Sequence, residues 1–284
     1  MSQTLPFICY ICNSNMEYYF EKYYKEPPYC VFMEDTGNVC YYKCVNCGFV
    51  ASKTHYDMTE EKWQKLNEVH HLSEKSLAEK IQNESKDKIG TPPYLQQALM
   101  IKVLQEKGII PMSLILDYAG GYGFLHNILR NYFSIESIIY DPYIHNESQK
   151  YILKNDLKKY EIVLNSAMFE HIRKRDDIDS INDFVSENGC LIIHTVVCEN
   201  IPCDKDWFYI KFPVHCAFHT NKSMEILMEQ WKYKSSIYCP TSKCWVLIKN
   251  EPQKIREKII DINPELKDNY FYYKKGFVDY WKGF

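Results

Sequence analysis

Four cysteines with matched spacing carry the first chemistry legible in this chain. Cys9 and Cys12 form one Cys-x-x-Cys hook and Cys44 and Cys47 a second, with 31 residues between the hooks. Each hook can present two thiolates to one tetrahedral Zn2+, and the residues between them can form the strands of a ribbon. Four sulfurs leave no open coordination position, so the expected role of the ion is structural. A redox role is the weaker reading, because neither hook opens a helix after a strand, where a thiol of low pKa belongs. Cys30 and Cys40 read as ordinary packed thiols. His55, His70 and His71 lie near in sequence but stay outside the expected metal site.

A second cluster runs from Leu114 to Leu129. An apolar strand ends in Asp117, a turn of small residues follows at once, and an amphipathic helix begins near Phe124. Small residues at Ala119, Gly121 and Gly123 let the backbone approach a ligand closely and take up positive φ. A dinucleotide site requires a third small residue where the helix packs beside the pyrophosphate. Counting Gly121 and Gly123 as its first two glycines puts His126 in that place, which weakens the dinucleotide reading. The next strand, Ser137 to Tyr140, leads into Asp141, 24 positions after Asp117. A carboxylate there can accept both hydroxyl protons of a ribose.

The elements that must position these groups alternate between strand and helix after residue 91, the pattern of a parallel sheet covered by helices. Strands are expected at Leu114 to Asp117, Ile135 to Tyr140, weakly at Tyr151 to Leu153, and at Ile162 to Asn165, Cys190 to Val197, Tyr233 to Tyr238 and Lys243 to Ile248. A polar helix starts at Thr59, a fitting N-cap, and runs to about Lys88 with a break near Ser73. Another follows Thr91-Pro92-Pro93, and a third spans Ser223 to Trp231 with Asn221 as its expected cap. A short helix is expected at Gln253 to Ile262. The division that results is a β-rich cysteine module at 1–57, a helical connector at 58–90, an α/β domain at 91–250 and an aromatic extension at 251–284. The tail from Tyr270 to Trp281 is expected to pack on the body or on a second subunit, so a homodimer is one arrangement the pattern admits.

Asp117-Tyr-Ala-Gly-Gly-Tyr-Gly123 resembles the Asp/Glu-x-Gly-x-Gly-x-Gly motif of class I S-adenosylmethionine-dependent methyltransferases, with Ala119 in place of the first glycine. Ile162-Val-Leu-Asn-Ser-Ala-Met-Phe-Glu-His-Ile172 resembles the fourth strand and the Leu-Glu-His-type turn of small-molecule members. The resemblance implies a Rossmann-like, mostly parallel seven-stranded sheet with helices on both faces, carrying in addition the small zinc-ribbon-like module. It further implies that the loop backbone at Ala119, Gly120, Gly121 and Gly123 holds the methionine end of S-adenosylmethionine, that Asp117 helps bind the amino group and that Asp141 binds the ribose. Asn165 and Glu170 join the cofactor-binding set, with Glu170 and His171 at the C-terminal edge of the sheet; Asn155 or Asp156 is the candidate for adenine. A zinc module followed by such a core is similar to the methyltransferases that modify nucleotide-linked deoxysugars and surface polysaccharides. That family often carries a further C-terminal domain, for which the 34 residues after Asn250 are not expected to suffice.

Methyl transfer is an in-line displacement at a sulfonium carbon, so positioning supplies much of the catalysis. A hydroxyl or carbon-acid acceptor also benefits from a general base, for which histidine has a suitable ordinary pKa. Phe212-Pro-Val-His215-Cys-Ala-Phe-His219 resembles the Pro-x-His-x-x-Phe stretch of small-molecule methyltransferases. His215 is the first candidate, His219 the second, and His171 and His194 follow; a structural hydrogen-bonding role for His215 is the alternative. Tyr18, Tyr19, Tyr23 and Tyr24 offer rings for a sugar or base, with packing the favoured role for most.

Formal net charge is -3, from 34 basic and 37 acidic side chains, so no overall positive field draws the chain to a phosphate backbone. That disfavours nucleic acid as a partner, as does the lack of an Asn/Asp-Pro-Pro-Tyr/Phe motif where Asn165-Ser-Ala-Met168 stands. An RNA methyltransferase gripping its polymer with the zinc module is the alternative, and a partner protein that has lost its cofactor is a third. Without an apolar stretch long enough to span a bilayer or to act as a signal peptide, the chain is expected in the cytoplasm with reduced cysteines.

Overall fold

The computed structural model describes residues 6–83, 92–144, 150–266 and 270–279. Thr91 as a helix start, the end of the connector near Lys88, and Trp281 of the tail lie outside these residues. The chain divides into two compact units, one made of Met1–Thr91, Glu170–Arg175 and Val196–Ser223, the other of Pro92–Phe169, Asp176–Thr195 and Met224–Phe284. Among the described residues no helix is long and apolar enough to cross a membrane.

The first unit is built on a five-stranded sheet of β1 (Met16–Lys22), β2 (Val39–Cys44), β3 (Val50–Ser52), β8 (Val197–Cys198) and β9 (Ala217–Thr220), in the order β1-β2-β3-β9-β8. All neighbours are antiparallel except β8 and β9, which are parallel. Aromatic side chains fill the sheet: Tyr41 stacks on Phe20 at 4.9 Å and lies 5.7 Å from Phe218 on β9. The stretch between residues 198 and 221, which reads from sequence as irregular, therefore contributes a strand to the same sheet as the cysteine module. Tyr24 is buried in this packing, whereas Tyr18 and Tyr23 are exposed.

Three helices accompany the sheet, α1 (Cys30–Glu34), α2 (Lys53–Asp57) and α3 (Glu60–Asn83). Thr59 Oγ1 accepts from the Lys62 amide at 3.3 Å, the side-chain cap expected there. The helix runs through Ser73 without the expected break. Its start is fixed by Arg173, whose guanidinium donates to the carbonyls of His55 (3.1 Å) and Met58 (2.8 Å), pairs with Glu60, and lies 4.9 Å from the Trp63 ring.

The second unit holds a seven-stranded sheet of β4 (Ile115–Tyr118), β5 (Ser137–Tyr140), β6 (Tyr160–Ser166), β7 (Val185–His194), β10 (Ser235–Cys239), β11 (Cys244–Ile248) and β12 (Tyr272–Lys275), in the order β12-β10-β11-β7-β6-β4-β5. Strands β5, β4, β6 and β7 are parallel; β11 is antiparallel to β7 and to β10, so β10 runs with the parallel set. The helices are α4 (Tyr94–Glu106), α5 (Phe124–Phe133), α6 (Arg175–Asp183), α7 (Asn221–Gln230) and α8 (Ile255–Glu265).

Because side chains alternate across a strand, each strand feeds both faces. Ile115, Ile162, Leu164, Ile192 and Val246 pack with Ile101 and Leu104 of α4, Leu125 and Leu129 of α5, and Ile259 and Ile262 of α8. On the opposite face the Tyr118 hydroxyl lies 3.4 Å from Ser180 of α6, and Trp231, just beyond α7, donates to Asp179 at 2.7 Å. Helices thus cover both faces, as the alternation of patterns requires.

Three local expectations change. The weak strand at Tyr151 to Leu153 is a single parallel bridge from Tyr151 to Ile139. The tail supplies β12, antiparallel to β10, and so packs on its own sheet. The cap of α7 is Thr220 rather than Asn221: Thr220 Oγ1 accepts from the Ser223 amide at 3.1 Å while Ser223 Oγ accepts from the Thr220 amide at 2.9 Å.

Candidate functional site

In the second unit β4 delivers Asp117 to the start of a turn in which Ala119, Gly121 and Gly123 all have positive φ, at 61°, 56° and 76°. Left-handed backbone costs an L-residue roughly 1–2 kcal/mol, least for one without a branched side chain, so Ala119 is tolerated where the related motif has glycine. Its amide donates to the Tyr140 carbonyl at 2.7 Å, tying the turn to β5. A Cβ on Gly120 would lie 2.7 Å from the Asp117 carboxyl, and one on Gly123 would lie 2.7 Å from Ile139. A Cβ on Gly121 would meet nothing within 4 Å, so this part of the turn faces open space. His126, at the third position of a dinucleotide pattern, is buried on α5 with Nδ1 2.8 Å from Ser137 Oγ. The space a small residue would leave beside a pyrophosphate is filled.

Asp117 is 1% exposed and its Oδ2 has no hydrogen-bond partner among the described residues. Burial, then the charge of Asp141, raises its pKa from 3.8 to about 7. A buried carboxyl with an unused oxygen is an incomplete arrangement that a cationic donor group completes. Asp141, just after β5, is held from the other side. Its Oδ2 accepts from the Gly121 amide at 2.8 Å, and its Oδ1 accepts from the amides of Tyr143 and Ile144, both at 2.9 Å. A carboxylate has about four acceptor positions, so one remains on Oδ2 for a ligand hydroxyl.

Two contributors to this turn carry no sequence signal. The Tyr151 hydroxyl donates to the Gly121 carbonyl at 2.8 Å, and Lys150 Nζ would lie 3.1 Å from a Cβ on Gly123. Asn155 and Asp156, the adenine candidates, are exposed on a 310 turn at Lys154–Asp156. Asn165 at the end of β6 is fully buried, with Nδ2 donating to the Tyr118 carbonyl at 3.0 Å and Oδ1 unpartnered. His194, at the end of β7, has an unpartnered Nδ1 and a pKa lowered to about 4 by burial and then by Lys243.

In the first unit the four cysteines meet. Cys9 and Cys47 sulfurs are 3.7 Å apart, Cys12 and Cys44 3.4 Å, and Cys12 and Cys47 3.5 Å. Zn–S bonds of about 2.3 Å at tetrahedral angles set sulfurs about 3.8 Å apart, close to this spacing, whereas a disulfide needs about 2.0 Å. The amides of Asn46 and Cys47 point at Cys44 Sγ, both at 3.4 Å, and so stabilise negative charge on it. The Cys47 thiol beside Cys9 lowers the Cys9 pKa to about 6. Cys30 and Cys40 stand outside this group.

The first unit also gathers Glu170, His171 and His215, whose ligand atoms all lie within 4.8 Å of one another. His215 Nδ1 donates to the Tyr209 carbonyl, which leaves Nε2 carrying the lone pair. The rings of His171 and His215 are 5.0 Å apart, and His70, from α3, is 5.5 Å from His171 with its Nδ1 2.8 Å from the Tyr29 hydroxyl. Burial is the first cause that lowers all three pKa values: to about 4 for His215, to about 3 for His70, and well below the usual value for His171. The imidazoles are neutral at pH 7. His219 is elsewhere, buried on β9 with its ring 4.9 Å from Phe49. Sequence spacing gives no hint of His70, because it meets His171 across about 100 residues of chain.

No family model matches the chain, and no curated protein matches it in sequence. Solved structures do overlap with it. The plantazolicin methyltransferase BpumL, in complex with a pentazolic desmethylPZN analog and SAH, is 11% identical over 68% of this chain and 100% of its own, with a TM-score of 0.42. A SAM dependent methyltransferase from Aquifex aeolicus is 14% identical over 55% of this chain and 92% of its own, with a TM-score of 0.35. Coclaurine N-methyltransferase bound to N-methylheliamine and SAH is 17% identical over 51% of this chain and 56% of its own, with a TM-score of 0.33. Scores and identities this low leave function to be read from the residues.

Proposed function

We propose that the chain is a methyltransferase that transfers a methyl group from S-adenosylmethionine to a small-molecule acceptor, a sugar, sugar nucleotide or surface-polysaccharide precursor. One observation carries this reading: a buried Asp117 with an unused oxygen, at the head of a glycine turn that is open at Gly121 and backed by Asp141. The cofactor brings an ammonium group and a ribose, which suit Asp117 and the remaining acceptor position on Asp141. When bound it supplies an electrophilic sulfonium methyl. In this reading the backbone of Ala119, Gly120, Gly121 and Gly123 holds its amino-acid end, and Asn165 belongs to the same set; Glu170 stands instead with His171 and His215 in the first unit. The four cysteines would hold a structural Zn2+. The pairing of such a module with a glycine turn of this type supports the sugar-linked acceptor.

His215 is the first candidate for a base, because the Tyr209 carbonyl orients its ring and leaves Nε2 able to accept a proton. His171 shares its surroundings; packing against Phe49 makes His219 a weaker candidate.

Calorimetry with S-adenosylmethionine and S-adenosylhomocysteine tests the cofactor, with NADH as control. Binding of both nucleosides, weakened in Asp141→Ala, is the expected result. Binding of NADH in their place, or full affinity in Asp141→Ala, would overturn the assignment. A screen of nucleotide sugars by mass tests the acceptor; a salt-sensitive shift with bulk RNA instead would favour the nucleic-acid alternative.

A further inference from the structure

The Glu170, His171 and His215 group has more order than a chance meeting of buried polar side chains. Its three members come from two distant chain segments that are tied at the main chain: the Cys216 amide donates to the Glu170 carbonyl at 2.7 Å. On the other side the Tyr10 hydroxyl donates to the Ile172 carbonyl at 2.9 Å. His215 is oriented by a backbone carbonyl on Nδ1, the arrangement by which metal-binding imidazoles are fixed in ring plane and tautomer. That carbonyl is itself held, since the Tyr209 hydroxyl accepts from the Val196 amide at 3.1 Å and the Tyr209 ring lies 4.8 Å from His215. Glu170 is 2% exposed and His215 8%, while His171 is intermediate, so the group is largely removed from solvent.

We propose that Glu170, His171 and His215 form a second metal site, for a single divalent transition-metal ion. Two imidazole nitrogens and one carboxylate oxygen suit zinc, iron, manganese, cobalt or nickel, and leave positions open for oxygen ligands such as water or a polyol hydroxyl. Bonds of about 2.0–2.2 Å require ligand atoms some 3–4 Å apart, so a group already within 4.8 Å closes by about 1 Å, within the reach of side-chain rotation. The site differs in kind from the four-cysteine cluster, where four sulfurs complete the shell. It stands independently of the cofactor reading. The base role for His215 then belongs to the metal-free protein alone, because an ion on Nε2 occupies the lone pair that would take a proton.

Cobalt counts the sites and tells them apart. Full-length protein is stripped of metal, loaded with Co2+, dialysed and measured for cobalt per chain, while absorption separates sulfur-to-cobalt charge transfer from the weak bands of nitrogen and oxygen coordination. The expected content is two per chain. Glu170→Gln and His171→Ala should each fall to one with the sulfur band intact, which also reports that the first unit is folded. Loss of a direct ligand should weaken this site by more than the roughly 10- to 100-fold that loss of an outer partner costs. One cobalt per chain in the unaltered protein, bound only by sulfur, would overturn the proposal and leave a metal-free imidazole group. Two per chain in Glu170→Gln and His171→Ala alike would overturn it as well, by placing the second ion elsewhere.

Discussion

Replacing Asp117 with asparagine should make the ligand-free protein more stable at alkaline pH and abolish tight cofactor binding. The unfolded chain ionises this carboxyl at its ordinary 3.8, while burial and Asp141 hold the folded one protonated up to about 7. Between these values the folded state binds the extra proton, so its contribution to stability falls as pH rises; above about 7 the penalty is complete. A gap of about three pH units, at about 1.4 kcal/mol each, makes the full penalty about 4 kcal/mol. The amide in Asp117→Asn needs a partner of its own, at a cost of about 1–3 kcal/mol, but that cost is the same at every pH. The difference in stability between variant and parent should therefore change by about 4 kcal/mol from pH 4 to pH 8, on the order of 8 °C in Tm for a chain of this size. Urea denaturation or thermal melts across that range measure it. A saturating level of S-adenosylhomocysteine, about 100 times Kd, should then stabilise the parent by about 2.7 kcal/mol and the variant hardly at all. Parallel pH profiles for the two proteins, or equal stabilisation by the ligand, would refute the assignment of Asp117.

Cofactor affinity should rise with pH up to about 7, close to tenfold per pH unit where Asp117 must lose its proton to receive a cation, and level off above; titration calorimetry at pH 5.5, 6.5 and 8 checks it. In Gly120→Ala the new methyl meets the Asp117 carboxyl at 2.7 Å, so binding should fall by 10-fold or more with little change in the circular dichroism spectrum, and unchanged affinity would count against the turn geometry. Cys44→Ser should release the structural ion and lower the melting temperature of the first unit, measured by elemental analysis and calorimetry; an unaltered metal content would remove Cys44 from the cluster. Arg173→Ala loses two carbonyl bonds and the contact with Trp63, a loss of about 3 kcal/mol, and Arg173→Lys should not restore it because one ammonium cannot reach the same partners; full rescue by lysine in denaturation would contradict this account.

Local chemistry was legible in the sequence and assembly over distance was not. The turn from Asp117 to Gly123 could be found because positive φ at two of its positions selects glycine, and the acid after β5 because strand, turn and helix follow in order. The cysteine hooks could be found because their spacing is itself the ligand geometry. Strands β8 and β9 were missed because two and four residues are too few to show alternation. Tyr151 acts on the turn through one hydroxyl and Lys150 brings its ammonium beside Gly123, and neither of these has a pattern. His171 and His215 were legible one at a time, but their meeting with Glu170 and His70 depends on a sheet that joins strands far apart in the chain.

The first unit's order of strands fixes when it can be finished during synthesis. Strand β3 ends at Ser52 and its neighbour β9 ends at Thr220, about 170 residues later. At 5–20 residues per second a ribosome takes roughly 10–30 s to supply the missing neighbour. During that wait β3 presents an open edge able to pair with another nascent chain, and early capture of Zn2+ by the two hooks is what would limit its excursions.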